Sequence, residues 1–477
     1  MSSALKIYAL FIGSALLMFG GGLQGLLLSV RGAEEGFSLI ALGLIGTGWS
    51  VGFISGSIAV PMLVQRVGHI RAFSIMGAIG TVTILLNLLW VQDIGWIVLR
   101  AFSGFCFAGA AMIVESWLNE VADNRNRGTV FSIYSTINMA SSTIGQLSMS
   151  VLGVEGYIPF VVGAISFICA ILPSALTSTP QPRPLKSAKL DVRLLYRTSP
   201  LAVIASFACG MANGTFGTLA PVYGVRQGLT AAEIGLLFAA TAVVGVFAQI
   251  PFGRLSDRID RRLVIVILSG IAALVGLLCL IANPSGWFMY VVFGAYGFAA
   301  YPLYAIAVAH ANDFAKDGEF ARVAGTMLLI LGTGLAIGPL IASWLMEFTA
   351  RPVDLFIVTV TFHGALALTA FLRMKVRPVR VGWRVRFRAM NAEKGVSPGT
   401  VDLDPRADST QPQDTVVPSP QKPAAAAEQA APAATPTAEP PAAAAPADTD
   451  SPAAPVATDA APRSTAKGKP TDGPVQD

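Results

Sequence analysis

Arg100 and Glu115 stand inside a single long apolar run, Trp96 to Leu118. With Gly104, Ala108 and Ala111 between them the spacings are 4, 4, 3 and 4, which a helix gathers onto one narrow stripe. A rise of about 1.5 Å per residue puts the cation and the anion about 22 Å apart, separated by small residues. An unpaired arginine near the centre of a bilayer costs roughly 2.5 to 3.5 kcal/mol, so Arg100 is expected to face water, a solute or a partner. The alternative is that it snorkels to the nearer surface. Glu115 is a candidate proton carrier; the alternative is a solvated carboxylate, since it lies within about a turn of the end of its run. The next run carries a polar face, with Ser135, Asn138, Ser142 and Gly145 or Gln146 at spacings of 3 and 4. Such a face is costly toward lipid and is expected either to line a cavity or to hydrogen-bond between helices.

Other chemistries find no support in the residues. Cys106, Cys169, Cys209 and Cys279 each lie in a different apolar run, none at metal-ligand spacing from another, so no disulfide framework, metal site or cofactor is expected. There is no phosphate-binding glycine loop, which argues against an ATP-driven pump. Nor is there a carboxylate, His or Cys constellation on a loop long enough to form a catalytic site. An enzyme is not expected.

The elements that must position Arg100 and Glu115 are membrane spans. The chain has 477 residues, of which 53% are hydrophobic and only 13% charged, about half the charge of an ordinary soluble domain. Its net charge of +5 is distributed in short bursts between apolar runs, which argues against nucleic acid as a partner. Twelve runs reach the length needed for about 30 Å of hydrocarbon. Their approximate limits are 8–28, 39–64, 72–90, 96–118, 129–152, 159–176, 200–223, 232–255, 263–281, 287–310, 324–344 and 353–372. Alternate connections differ sharply in charge: one set holds twenty-three Lys and Arg residues, the other only Arg31, Arg226 and Arg351. The positive-inside rule places the rich set, and with it both termini, in the cytoplasm.

An internal repeat runs at an offset of 192 residues. Gly22, Gly25, Gly32, Gly36 and Gly43 fall on Gly214, Gly217, Gly224, Gly228 and Gly235; Ser38 falls on Thr230 and Arg66 on Arg258. A register held across three spans implies a duplicated six-span unit. The expected organisation is a six-span half at 1–176, a linker at 177–199, a second half at 200–375, a basic juxtamembrane segment at 376–391 and an Ala/Pro-rich tail at 392–477.

The eighth and ninth runs flank a charged stretch, Gly253-Arg254-Leu255-Ser256-Asp257-Arg258-Ile259-Asp260-Arg261-Arg262, which reads as a tight turn. Gly253, Asp257, Arg258, Arg261 and Arg262 resemble the signature loop of the major facilitator superfamily, with Asp260 where that family usually has a second glycine. In the first half Pro61 and Gln65 replace the leading glycine and the aspartate, while Arg66 and Gly68 remain. Arg100 followed by Gly104 is similar to the family's fourth-helix motif. Val114-Glu115-Ser116, Asn126-Arg127-Gly128 and Gly145-Gln146 resemble the YcaD-type branch of bacterial major facilitators, a branch whose substrates are essentially unassigned.

The resemblance implies an all-α fold of twelve transmembrane helices in two pseudo-symmetric halves, and a secondary transporter of a small solute in a bacterial inner membrane. Protons are the expected coupling ion, through Glu115 and Arg100, and a monomer is the expected state. The first, fourth, seventh and tenth spans line the central path in this family. Gln24, Arg100, Asn213, Tyr296, Tyr301 and Tyr304, with Asn138, Ser142 and Gln146 of the fifth span, are therefore the expected cavity residues. For the tyrosines, packing between helices is the alternative. By pseudo-symmetry Asp257 is expected to meet the start of the fifth helix near Arg127, as part of a gate that includes Arg66. A receptor of the same fold that signals through its tail is the competing reading.

Beyond about Ala392 the chain has no aromatic residue and is dominated by Ala, Pro, Thr and acidic residues, so it cannot bury a core and is expected to be disordered. Truncation after Ala392 removes no expected span. The shortened protein should elute as a single species on size-exclusion chromatography and retain its activity; aggregation would show that the tail supports the membrane domain.

Overall fold

The computed structural model describes residues 3–122, 126–175, 190–316 and 319–376. The expected juxtamembrane segment and tail lie outside these residues, as does most of the expected linker.

Among the described residues the chain is helical throughout. Six long helices, α1 (Ser3–Glu34), α2 (Leu39–Val67), α3 (His69–Leu89), α4 (Asp93–Val121), α5 (Arg127–Leu152) and α6 (Ile158–Ala175), precede a short one, α7 (Val192–Thr198). Six more follow: α8 (Pro200–Arg226), α9 (Ala231–Arg258), α10 (Arg261–Ala282), α11 (Trp287–Asn312), α12 (Phe320–Thr349) and α13 (Leu355–Val376). Ten are long and apolar enough to cross a membrane. The hydroxyl-rich α5 falls outside that set, and α6 contributes a shorter apolar stretch, Ile158–Pro173. Part of the expected linker is ordered, because Asp191 caps α7 by accepting from Leu194 N–H at 2.8 Å.

The packing repeats. In the first half α1 packs on α5 and α6, α2 on α4, and α3 on α4 and α6; in the second half α8 packs on α12 and α13, α9 on α11, and α10 on α11 and α13. The halves meet through α2 with α12, α5 with α9 and α1 with α8. Small residues set the closest crossings. A Cβ on Gly52 would overlap the carbonyl of Ala101, and one on Gly104 that of Trp49, so α2 and α4 touch backbone to backbone. At the matching crossing in the second half, a Cβ on Gly297 would stand 2.6 Å from Thr241 O. Packing of this kind supplies cohesion where lipid removes the hydrophobic drive between helices.

The repeat also governs the helix starts, though the two halves complete them differently. Ser38 caps α2 by accepting from Ala41 N–H at 3.1 Å, while the first helical N–H, that of Leu39, donates to Glu347 of α12 at 3.1 Å. Thr230 caps α9 within a self-contained capping box: Glu233 N–H donates to its hydroxyl, and Thr230 N–H donates back to the Glu233 carboxylate at 2.8 Å.

The charged stretch is a correction to the sequence reading. Gly253 to Arg258 is the last part of α9 rather than a turn, and only Ile259 and Asp260 separate it from α10. Asp260 has φ −59° and caps α10 by accepting from Arg262 N–H at 3.0 Å. Gly68 occupies the equivalent place in the first half with φ 84°. A glycine is required there and not at Asp260, because only the first-half turn passes through positive φ.

A candidate substrate site between the halves

A cavity of about 100 Å³ lies where α1, α2, α4, α5, α8, α9 and α12 converge. Gln24, Arg100, Gln146 and Asn213 line it. Trp49, Phe107 and Phe238 form aromatic wall, and Gly22, Gly25, Gly214 and Gly217 keep the walls of α1 and α8 low. These four glycines are two of the repeat pairs. Gly22 and Gly214 press on the carbonyls of Ser142 and Leu335, whereas Gly25 and Gly217 leave space.

Arg100 is 8% exposed. Its Nη1 donates to Gln24 Oε1 at 2.9 Å, and Ser103 Oγ donates to the same oxygen at 2.7 Å. The guanidinium carbon sits 5.8 Å from the centre of the Trp49 ring, a cation–π arrangement. The Gln24 amide nitrogen is buried without a hydrogen-bond partner.

Glu115 lies deeper along α4, 4% exposed, and accepts from Tyr134 Oη at 3.2 Å. Ser14 Oγ donates to Asn138 Oδ1 at 2.6 Å, and the Tyr134 hydroxyl faces both of these residues. The polar face of α5 therefore splits. Gln146 reaches the cavity, Asn138 joins the cluster around Tyr134, and Ser142 is buried where its backbone carbonyl receives Gly22 of α1.

The tyrosines do not line this cavity. Tyr296 stacks on Phe216 with ring centroids 4.4 Å apart and meets His363 edge-on at 5.7 Å. Tyr301 lies over Gly245 at the α9–α11 crossing, and Tyr304 is 2% exposed. All three are held in helix packing because α11 turns its small residues and rings toward α8 and α9. Lining residues that sequence reasoning did not single out for the cavity include Trp49, Phe107, Phe238 and Gly25, and Ser103 supports the site through Gln24; the glycine register was the one signal that reached Gly25.

At the basic-rich end, Arg261 is enclosed by Asp313 Oδ2 at 2.8 Å, Asp257 Oδ1 at 3.1 Å and Ser256 Oγ at 3.2 Å. Arg262 grips Asp260, with Nη2 to Oδ2 at 2.7 Å, and its Nη1 donates to the carbonyl of Arg373 at 3.1 Å, tying α10 to the end of α13. Burial alone would raise the carboxyl pKa of Asp260. The hydrogen bonds from Arg262, with the nearby Arg262 and His310, outweigh it and hold the group below its ordinary range. Gly253 is buried, and Arg66 and Arg258 are exposed. The Arg127 side chain lies outside the described residues, and so does the expected meeting of Asp257 with it.

A fold of two matched six-helix halves around a polar cavity defines a class. The Major Facilitator Superfamily model matches residues 10–232 and again 202–425, with starts 192 residues apart (202 minus 10), the offset of the glycine repeat. The chain belongs to that family and is a multi-pass membrane transporter. It is 25% identical over 352 residues to the uncharacterized MFS-type transporter YcaD of Escherichia fergusonii, covering 73% of this chain and 91% of the relative. The YcaD of Shigella flexneri is 25% identical over 341 residues, covering 70% and 88%. Among solved structures, the nucleoside transporter NupG superposes with a TM-score of 0.63 at 14% identity, covering 79% of this chain and all of that one. A bacterial homolog of the human lysosomal transporter Spinster, inward-facing and occupied, gives 0.64 at 16% identity, covering 78% and 96%. At these identities the solved structures speak for the fold alone.

Proposed function

We propose that the chain is a secondary active transporter that moves a small solute through the cavity at Arg100 by alternating access, driven by protons. The observation that carries this reading is a buried guanidinium at the floor of a cavity whose walls come from both halves. Relative motion of the halves changes the surroundings of such a group, which is what a transport cycle requires. The charge bias of the connections supports a bacterial inner-membrane setting with both termini cytoplasmic. Each half is the moving body, the linker joins them, and the Asp257–Arg261 cluster belongs to the gate at the basic-rich end. A monomer suffices, since the cavity is complete within one chain.

Glu115 carries the coupling proton in this reading. It is buried, lies on the same helix as Arg100, and meets a hydroxyl and amide cluster that connects α4 to α5 and α1. The test is flux in proteoliposomes under an imposed pH gradient. Glu115→Gln should leave solute exchange intact and remove its dependence on the gradient. Unchanged coupling in that variant would remove Glu115 from the proton path. Absence of both solute and proton flux in the intact protein would favour a receptor.

A further inference from the structure

We infer that the cavity takes a small organic monoanion, a carboxylate held by Arg100 and Gln24. This inference rests on the transport reading for its location and goes beyond it in naming the chemistry of the solute.

A guanidinium offers five N–H groups and accepts nothing. Among the described residues Arg100 makes one hydrogen bond, to Gln24 Oε1, and no carboxylate stands within ion-pair distance of it. The amide of Gln24 can be oriented only one way, because the Arg100 guanidinium only donates and must meet oxygen, and the Ser103 hydroxyl then donates to that same oxygen. Its NH2 is thereby left as a second donor, buried and without a partner, on a residue that is 2% exposed. At Arg100 and Gln24 the cavity therefore presents donors and one positive charge with no carboxylate in ion-pair reach, while the Gln146 and Asn213 amides elsewhere in its lining can donate or accept. A ligand that satisfies both is an acceptor with one negative charge. A neutral solute leaves the buried charge unmatched, and a dianion leaves a net negative charge in its place.

The surroundings limit the size and shape. Trp49 covers a face of the guanidinium, leaving the edge, where bidentate carboxylate recognition takes place. Gly25 keeps that edge uncovered: a Cβ there would lie 3.6 Å from Arg100 Nη2 and meet nothing else within 4 Å. The cavity of about 100 Å³ is walled by Phe107 and Phe238, which offer apolar contact to the carbon skeleton of the acid.

The test uses the purified full-length chain and thermal unfolding with sodium acetate, propionate and benzoate at millimolar concentration. Each is set against its own amide, with chloride as the inorganic anion. At least one acid should raise the midpoint by a few degrees, while its amide and chloride do not. Arg100→Gln should abolish the shift. So should Gly25→Leu, whose Cβ meets no backbone and whose side chain occupies the space in front of the guanidinium; a cooperative unfolding transition for this variant without ligand shows that it is folded. Protection by an amide or by chloride equal to that by the acid overturns the inference. So does protection that survives both substitutions, or none by any of the three acids. Should an amide instead be bound and carried across proteoliposomes, the transport reading stands and the anion reading falls. Acids that protect in an Arg100-dependent way without crossing the bilayer leave the site intact and remove the transporter.

Discussion

Leucine at Gly43 or at Gly235 is expected to drive the protein out of the conformation described here and to suppress net flux. These repeat-related glycines sit at the basic-poor end, where the halves touch. A Cβ on Gly43 would overlap Ser343 and the carbonyl of Pro339 on α12, and one on Gly235 would lie 3.0 Å from Ser150 N and 3.2 Å from Gln146 O on α5. Overpacking of a tight contact costs about 1 to 3 kcal/mol, and it is charged only to the state in which the two surfaces meet. Where the seam is parted the same leucine projects into open space. The difference corresponds to a shift of about 5- to 150-fold in the ratio of the two states, enough to make one of them a minority in a balanced transporter. The measurement is labelling of a cysteine placed at Thr218, a cavity-lining position, in a background lacking Cys106, Cys169, Cys209 and Cys279. A membrane-impermeant maleimide added on the basic-poor side should label the leucine variants faster than the parent. Equal rates would mean that this seam does not part.

Arg261→Ala should be among the most destabilising single substitutions in the chain. The side chain is 1% exposed and sits between Asp313, 14% exposed, and Asp257, 31% exposed. Removing one partner of a buried pair strands the other charge, at a cost of about 3 to 5 kcal/mol. Asp313 bears most of that cost, because Asp257 reaches water. Arg261→Met combined with Asp313→Asn removes the stranded charge and should recover most of the loss. Thermal unfolding of the two variants decides between this and a solvated cluster: a parental midpoint for Arg261→Ala would show that water already reaches the site.

What was legible in the sequence follows from what apolar runs encode. Span existence, the duplicated unit and the importance of Arg100 all come from local patterns: run length, glycine register and one charge out of place. Trp49 was not legible because it reaches the cavity through the crossing of α2 with α4, and a crossing angle is a property of two helices; Gly25 was legible as a member of the repeat but not as the space beside Arg100. Tyr301 and Tyr304 share a helical face with Gly297, a pattern that fits a wet stripe and a packing stripe equally. The structure selects packing, since Gly245 admits the Tyr301 ring. Gly253 to Arg258 is helix and not turn because charge alone does not end a helix. A helix leaving the bilayer has no reason to stop there, and its last turn holds the arginines at the surface where they solvate.

The unequal caps at Ser38 and Thr230 bear on how the protein is made. The start of α9 is complete within four residues, so it can form as soon as Glu233 has left the ribosome. The start of α2 relies on Glu347, 308 residues further along the chain. At about 5 to 20 residues per second, some 15 to 60 s of synthesis separate the two partners. Throughout that interval the Leu39 N–H has only interfacial water to bond with. The half synthesised first is thus the half that finishes last, and its entry to α2 is sealed only when the second half has been inserted beside it.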